Sequence, residues 1–248
     1  MKKIIFVLFF LLIASQIRAE NKVMLNFDWH QNKDAFNHGI IFSGYEVSLG
    51  YAYSEICGNN KFEIESWLRG GFNHGKDIIG LNLALTPIKV FYGWKTDWMD
   101  NITTYAGANF EAYYQLSLYP DLQMGHDFWI TSYSVSPELR AYIPYRNDEI
   151  EIKLSNSILG LVSRPDKEKP EYIFSLRTGD IISDLHSNFR AGSLNLFNNL
   201  YYEMNYIFDK DDPFLSVGYS FRFLNYFDEP EFDYLNHSLN FKYYWGEK

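Results

Sequence analysis

Hydrophobic and polar residues alternate along most of the chain, and the alternation is clearest close to its end. Between Leu235 and Trp245 the odd positions are mainly large and apolar, whereas positions 236, 238, 240 and 242 are Asn, Ser, Asn and Lys. A side-chain period of two places these two sets on opposite faces of one β-strand. This segment therefore predicts a strand with one apolar and one polar face.

The same alternation recurs through the chain and predicts about twelve strands, with ten or fourteen as alternatives. In the third segment Ser66 and Trp67 invert the order locally. Pro87 cannot donate to a ladder and is interpreted as a tight turn, with a bulge as the competing interpretation. The predicted strands are residues 23–30, 45–54, 62–73, 79–86, 88–95, 102–118, 128–143, 150–161, 172–178, 196–208, 214–227 and 235–245.

These strands predict an all-β fold, a single antiparallel up-and-down transmembrane β-barrel formed by residues 20–248. Segments of about ten or more residues suit a tilted membrane crossing, and an even strand number returns both ends of the chain to one side. A soluble periplasmic or secreted ligand-binding barrel is the alternative. It has the same period with its apolar face turned inward.

The amino-terminal segment has the pattern of a cleaved secretory signal. Lys2 and Lys3 precede an apolar run from Ile4 to Ala14, and Ala19 supplies a small residue before Glu20. The apolar run is shorter than the roughly 20 residues that a membrane-spanning helix needs. We therefore expect residues 1–19 to be a signal peptide and any membrane crossing to be made by strands.

Composition and charge narrow the class of protein further. Aromatic residues form 19% of the chain, including 20 Tyr and 21 Phe. This content agrees with aromatic girdles at two membrane interfaces, and an aromatic-rich soluble β protein is the alternative. The formal charge is −9, and removal of the signal makes it more negative. Duplex binding depends on clustered Lys and Arg, so nucleic acid is not an expected partner.

From the signal to the closing strand the chain resembles uncharacterised outer-membrane β-barrel proteins of Gram-negative bacteria, particularly of the Bacteroidota. Its last strand ends in Trp245 and is similar to the carboxy-terminal signal read by the barrel-assembly machinery, although Gly246, Glu247 and Lys248 follow. The resemblance implies residence in the cell outer membrane. It also implies contact with outer-membrane lipid and with that machinery during insertion, and brings no activity with it.

In a transmembrane barrel the polar face lines the lumen. Its charges either pair across strands and fill a closed structural barrel, or they set the selectivity of a narrow channel for small solutes. The sequence does not identify a specific ligand. The lumen-facing candidates are Glu46, Glu63, Glu65, Arg69, Asn82, Glu138, Arg140, Glu151, Lys153, Glu203, Arg222 and Lys242.

The sequence favours a barrel without enzymatic activity, and a hydrolase at the outer rim is a further alternative. Outer-membrane phospholipases and lipid A deacylases place His and Ser two residues apart, a spacing that no histidine here has. Asp184 and His186 resemble the aspartate and histidine dyad of the omptin proteases, since residues two apart share a strand face. They are the catalytic candidates. The only Asp-x-Asp sequence, at Asp209 and Asp211, falls by strand parity on the periplasmic side.

Metal and cofactor sites are not expected. His74 and His126 stand alone, and the single cysteine, Cys57, excludes a thiolate cluster. The acidic groups at 209–212 and 228–231 lack the spacing of a calcium loop. No glycine-rich loop suits nucleotide phosphates.

Overall fold

A computed structural model describes residues 18–35, 39–96, 98, 101–119, 127–165, 183, 185–229 and 231–245. Most of these residues belong to the strands of one antiparallel sheet. Its strands are β1 Arg18–Asp34, β2 Ile41–Cys57, β3 Asn60–Gly75, β4 Ile78–Thr96, β5 Thr103–Leu118, β6 Asp127–Tyr145, β7 Asp148–Asn156, β8 Leu159–Ser163, β9 Arg190–Ser193, β10 Phe197–Phe208, β11 Leu215–Tyr226 and β12 Phe232–Trp245.

The sheet closes on itself as a ring of ten strands. Strands consecutive in the chain pair from β1 to β7, β7 pairs with β10, and the ring continues through β11 and β12 to β1. β1 and β12 pair from Asn21↔Trp245 to Asp34↔Phe232, so the first and last strands seal the barrel along their length. Closure removes the unpaired edges that an open sheet would expose.

The two ends of the barrel differ in what they carry. β1 begins and β12 ends at the terminal rim, which also holds the connections β2–β3, β4–β5, β6–β7 and β10–β11. Gly58 and Arg146 adopt positive φ in two of these turns. The other end, the loop rim, carries the remaining connections, including the long one between β8 and β9.

The ring has ten strands rather than twelve, mainly because Pro87 does not end a strand. β4 runs through it, and the register with β5 shifts between Leu85 and Ile88. A bulge of this kind leaves the proline without a ladder partner, so its missing N–H costs no hydrogen bond. The turn predicted at Pro87 is therefore wrong, and the bulge interpretation is correct. The predicted strand 172–178 lies outside the described residues.

β8 and β9 lie outside the ring. β8 pairs with β6 beyond the end of β7, after a break at Ser157 and Ile158. β9 pairs with β8 and leads through a turn into β10. Next to this turn the Phe227 amide donates to the Leu196 carbonyl. The predicted strand 150–161 is thus interrupted at Ser157 and Ile158, whereas the predicted strand 196–208 is continuous as β10.

The apolar rows face outward and the polar rows face inward. The aligned Leu25, Leu49, Leu68 and Leu85 form one outward row across four strands, and Leu49 is 58% exposed. The local inversion at Ser66 and Trp67 is present in the structure: Trp67 points inward over Gly50, where a Cβ would lie 2.5 Å from the indole, and Ser66 is exposed. The described residues contain no helix long and apolar enough to span a bilayer.

Candidate functional site in the barrel lumen

All of the predicted lumen residues lie on the inward face, and nearly all are buried. The side chain of Arg69 is 14% exposed, and the other residues are less accessible. Burial of so many charges requires partners, because an uncompensated charge in a low-dielectric interior is strongly unfavourable. The ion pairs of the lumen supply them.

The central ion network is built around Glu63 of β3. Its carboxylate accepts hydrogen bonds from Lys22 at 2.9 Å, from Lys153 at 3.0 Å and from Arg140. Arg140 also donates to Glu138 at 2.6 Å, and Lys153 lies 3.2 Å from Glu65. β3 lies far around the ring from β6 and β7, so these bonds cross the lumen.

A second part of the central network joins β7, β10 and β12. Lys242 pairs with Glu203 and lies 3.9 Å from Glu151. Glu151 accepts a hydrogen bond from the Tyr142 hydroxyl at 2.7 Å, and Asn205 donates to the same carboxylate at 3.0 Å. Cations and carboxylates therefore alternate across the middle of the barrel.

Nearer the loop rim, a separate ion cluster surrounds Arg69. Its guanidinium Nε lies 3.4 Å from Asp28 and 3.7 Å from Glu46, and Nη1 donates to the Tyr234 hydroxyl at 2.8 Å. His30 is fully buried with Nδ1 3.6 Å from Glu46. Asp28 and His30 are both absent from the predicted lumen set, although both share the inward parity of β1.

Two further ion pairs brace the lumen. Arg222 of β11 donates to Glu111 of β5 at 2.7 Å and lies 4.2 Å from the centre of the Tyr113 ring. Arg164, just after β8, donates to both carboxylate oxygens of Asp34 at 2.8 and 2.9 Å. Arg222 makes the bidentate contact, because its Nη1 also donates to Glu111 Oε1 at 3.2 Å, and two parallel hydrogen bonds fix both partners in position. Arg222 and Glu111 join two ring strands that are not neighbours, and Arg164 joins the segment after β8 to β1.

Sequence reasoning missed an aromatic plug between the ion networks and the loop rim. Its side chains face inward, are almost fully buried and pack on one another. The signal was available, because Tyr113 follows Glu111 by two positions and Tyr234 precedes Asn236 by two. The plug comprises Tyr113, Ile130, Val162, Phe197, Leu224, Tyr226, Phe232 and Tyr234, with Phe42, Tyr119 and Phe128 beside them.

Two cavities of different size lie at the two ends of the lumen. A cavity of about 680 Å³ opens at the terminal rim and reaches inward to Lys22 and Glu151 of the central network. Close to the loop rim, a cavity between Asp34, Arg164 and Phe232 has a volume of about 10 Å³, which is the space of about one water molecule.

His186 lies on the outside of the wall. Its Nε2 is 3.1 Å from the Tyr114 hydroxyl, and its ring packs against Phe189. Asp184, the other half of the predicted dyad, lies outside the described residues. His237 is also outward, 2.6 Å from the Tyr219 hydroxyl. Among the described residues, no group of three or more His, Cys, Asp or Glu side chains is arranged to hold a metal ion.

At the seam between β9 and the β11–β12 connection, Arg190 donates to Asp228. This hydrogen bond lowers the pKa of the Asp228 carboxyl. Both side chains are partly exposed, so the pair is screened by solvent. It links the start of β9 to the β11–β12 connection.

Comparison with known proteins gives likeness of fold without a family. No family model and no curated protein matches the sequence. The outer-membrane protease OmpT of Escherichia coli has 8% identity and a TM-score of 0.48, covering 92% of this chain and 96% of that chain. The β-domain of the Bordetella autotransporter BrkA has 7% identity and a TM-score of 0.47, covering 91% and 99%.

An outer-membrane channel from Pseudomonas putida F1 has 9% identity and a TM-score of 0.40, covering 92% of this chain and 96% of that chain. These solved structures are outer-membrane β-barrel proteins of Gram-negative bacteria. At such identities and TM-scores the comparisons assign no activity to this chain.

Proposed function

We propose that this chain is an integral outer-membrane β-barrel of a Gram-negative bacterium whose lumen is plugged by its own side chains. Its role is then structural, and it does not conduct solutes through its centre. The observation that carries the proposal is the division of the sheet into an apolar outer face and a charged inner face rich in ion pairs. A bilayer solvates the apolar outer face, and closure of the barrel shields the charged inner face from lipid.

The outer face supports residence in lipid. Tyr45 and Phe72, aligned on neighbouring strands near the loop rim, are 74% and 68% exposed. Near the terminal rim, Tyr51 and Trp245 form an aromatic pair with ring centres 6.2 Å apart. Aromatic side chains at two levels with leucines between them match the girdles and apolar band of a membrane barrel.

The inner face supports closure. Hydrogen bonds from β1, β6 and β7 to Glu63 pass directly through the lumen. A permeating ion would have to break these bonds and then displace the aromatic plug, whose rings and aliphatic side chains pack on one another. A narrow channel therefore requires two separate rearrangements, whereas the plugged barrel requires none.

A soluble barrel and a rim hydrolase have weaker support. A soluble ligand-binding barrel needs its apolar rows turned inward, the reverse of their observed direction. A rim hydrolase needs an accessible acid and base facing a substrate site. His186 instead packs against aromatic side chains on the outer wall.

Several properties belong to the proposal because they follow from sequence or from the membrane assignment. They are cleavage of a signal peptide at residues 1–19, recognition of the closing strand by the barrel-assembly machinery, and relation to the Bacteroidota proteins. The terminal rim then faces the periplasm and the loop rim faces outward. Outer-membrane lipid is the expected partner of the outer face.

The test combines fractionation, a heat-dependent gel shift and planar-bilayer conductance. We expect recovery in the outer membrane, faster migration before boiling than after it, and no current steps at protein levels where an open porin conducts. Recovery in the soluble periplasm without detergent would end the membrane assignment. Reproducible single-channel steps from heat-modifiable protein would instead refute the plug while leaving the barrel intact.

A further inference from the structure

The cavity at the terminal rim, called here the vestibule, has the size of a ligand site. Its volume of about 680 Å³ falls within the roughly 300–1,000 Å³ that is usual for small-molecule pockets. Because the central network closes its inner end, the vestibule is a dead end. Solute that enters can bind there and leave, but it cannot pass through.

Lys61 supplies the vestibule with a buried positive charge that lacks an acidic partner. The residue is 5% exposed, and its ammonium donates to the Tyr142 hydroxyl and lies 4.3 Å from the centre of that ring. No carboxylate of the described residues comes within 4 Å of it, whereas Lys22, Lys153 and Lys242 all have such a partner. An ammonium has three donors, and the phenol takes one.

The walls near Lys61 suit an apolar body. Ile56, which is the cross-strand neighbour of Lys61, lines the vestibule together with Ile207 and the phenol ring of Tyr105. Apolar contact of this kind supplies affinity, and a few placed polar groups set orientation. Lys61 is well placed to be the orienting group.

The other charged side chains of the vestibule favour a ligand with a low net charge. Lys95 and Lys210 line the vestibule with Glu149, Asp211 and Asp212, so its walls hold both signs. A polyanion would meet these carboxylates. A compact ligand with one carboxylate can reach Lys61 while the carboxylates of the vestibule wall remain hydrated.

The geometry points to a binding site for a small organic monocarboxylate, with its carboxylate on the Lys61 ammonium and its apolar body against Ile56, Ile207 and Tyr105. The site does not depend on the barrel being non-conducting. A failure of binding in a heat-modifiable, silent barrel would therefore leave the proposed function standing.

The test is a ¹⁹F NMR titration of the full-length protein in non-ionic detergent with 4-fluorobenzoate. We expect saturable broadening of the probe signal, and at least about tenfold weaker binding by Lys61→Met. Lys33→Met is the matched control, because Lys33 is exposed near the loop rim, and it should bind as the parent does. The neutral analogue 4-fluorobenzamide measures partition into the micelle. Equal binding of amide and carboxylate, or full binding by Lys61→Met, would overturn the assignment.

Glu149→Gln provides a second variant that removes a negative charge from the vestibule wall. If a monocarboxylate sits on Lys61, this change strengthens binding, because it removes a repulsion. Unchanged or weaker binding contradicts a simple anion site. The heat-dependent gel shift of each variant establishes that the barrel is folded. The affinity of Glu149→Gln for the carboxylate therefore tests the site even if Lys61→Met does not assemble.

Discussion

Glu63 shows at the scale of one residue how the lumen is stabilised. Its side chain is 1% exposed and holds Lys22, Arg140 and Lys153 in one network. A buried carboxylate of this kind is tolerated because each cation offsets part of its desolvation, and each cation needs it for the same reason. Removing one member should therefore cost more than the loss of one hydrogen bond.

Arg140→Ala tests this dependence. The guanidinium bonds Glu63 and Glu138 and stacks 3.8 Å from the centre of the Phe91 ring. Its removal leaves two buried carboxylates undercompensated, and we expect a loss of about 3–5 kcal/mol in unfolding free energy. Urea unfolding in lipid vesicles, followed by the gel shift, measures it.

Arg146→Gln is the control for that measurement. Arg146 is an exposed arginine in the β6–β7 turn, so its substitution should change the unfolding free energy by no more than about 0.5 kcal/mol. If Arg140→Ala is as stable as this control, the network does not stabilise the barrel.

Strand parity predicts which side chains face the lumen, but it does not predict their partners. Glu63 and Arg140 each fall on the polar face of their own strand. That they meet depends on how many strands separate them around the ring and on how the strands tilt. Trp67 shows the same dependence on neighbouring strands, because the room for its inward indole comes from Gly50 of β2.

At the scale of an element, β4 shows where pattern reading is ambiguous. The alternation changes phase around Pro87, and a turn and a bulge both produce such a change. Only the neighbouring strands distinguish them. β3 and β5 remain paired on both sides of Pro87, as a turn would not allow.

Adjacent glycines in β3 allow a matched test of strand packing. A Cβ on inward Gly71 would lie 2.1 Å from the Tyr45 carbonyl oxygen, whereas one on outward Gly70 would lie 3.3 Å from Leu83 Cδ2. We expect Gly71→Ala to destabilise the barrel by about 1–3 kcal/mol, because the backbone of β2 at Tyr45 must move to make room for the methyl group.

Gly70→Ala should stay within about 1 kcal/mol of the parent, since a flexible leucine end can shift and the unfolded chain loses freedom. Both variants are measured by urea unfolding in the same vesicles. Equal effects of the two substitutions would show that β2 and β3 can separate easily at this point, against the close approach in the structure.

For the whole molecule, the inward face forms layers along the barrel axis. On β12 the order from the terminal rim is Tyr244 at the vestibule, Lys242 in the central network and Tyr234 in the aromatic plug. Side chains thus close the lumen in its middle and toward the loop rim, and leave it open at the terminal rim. Sequence indicated a polar lining but not this division, because the layers arise from contacts between distant strands.

The outward face provides the decisive test of the surroundings of the whole barrel. Leu49 lies near the middle of β2 on that face, and Ser43 lies on the same face near the loop rim. In a bilayer, Leu49→Arg should cost about 2–4 kcal/mol and Ser43→Arg about 0–1 kcal/mol, because the penalty for a charge falls from the midplane toward the interface. Urea unfolding in vesicles gives both values.

In water, by contrast, an arginine at an exposed position costs little wherever it lies on the strand. Leu49→Arg would then resemble Ser43→Arg, and removing an exposed leucine would improve solubility. The depth dependence therefore separates lipid from solvent without reference to any activity. Equal stability of the two variants would contradict a membrane-spanning barrel even if the ten-strand ring itself were correct.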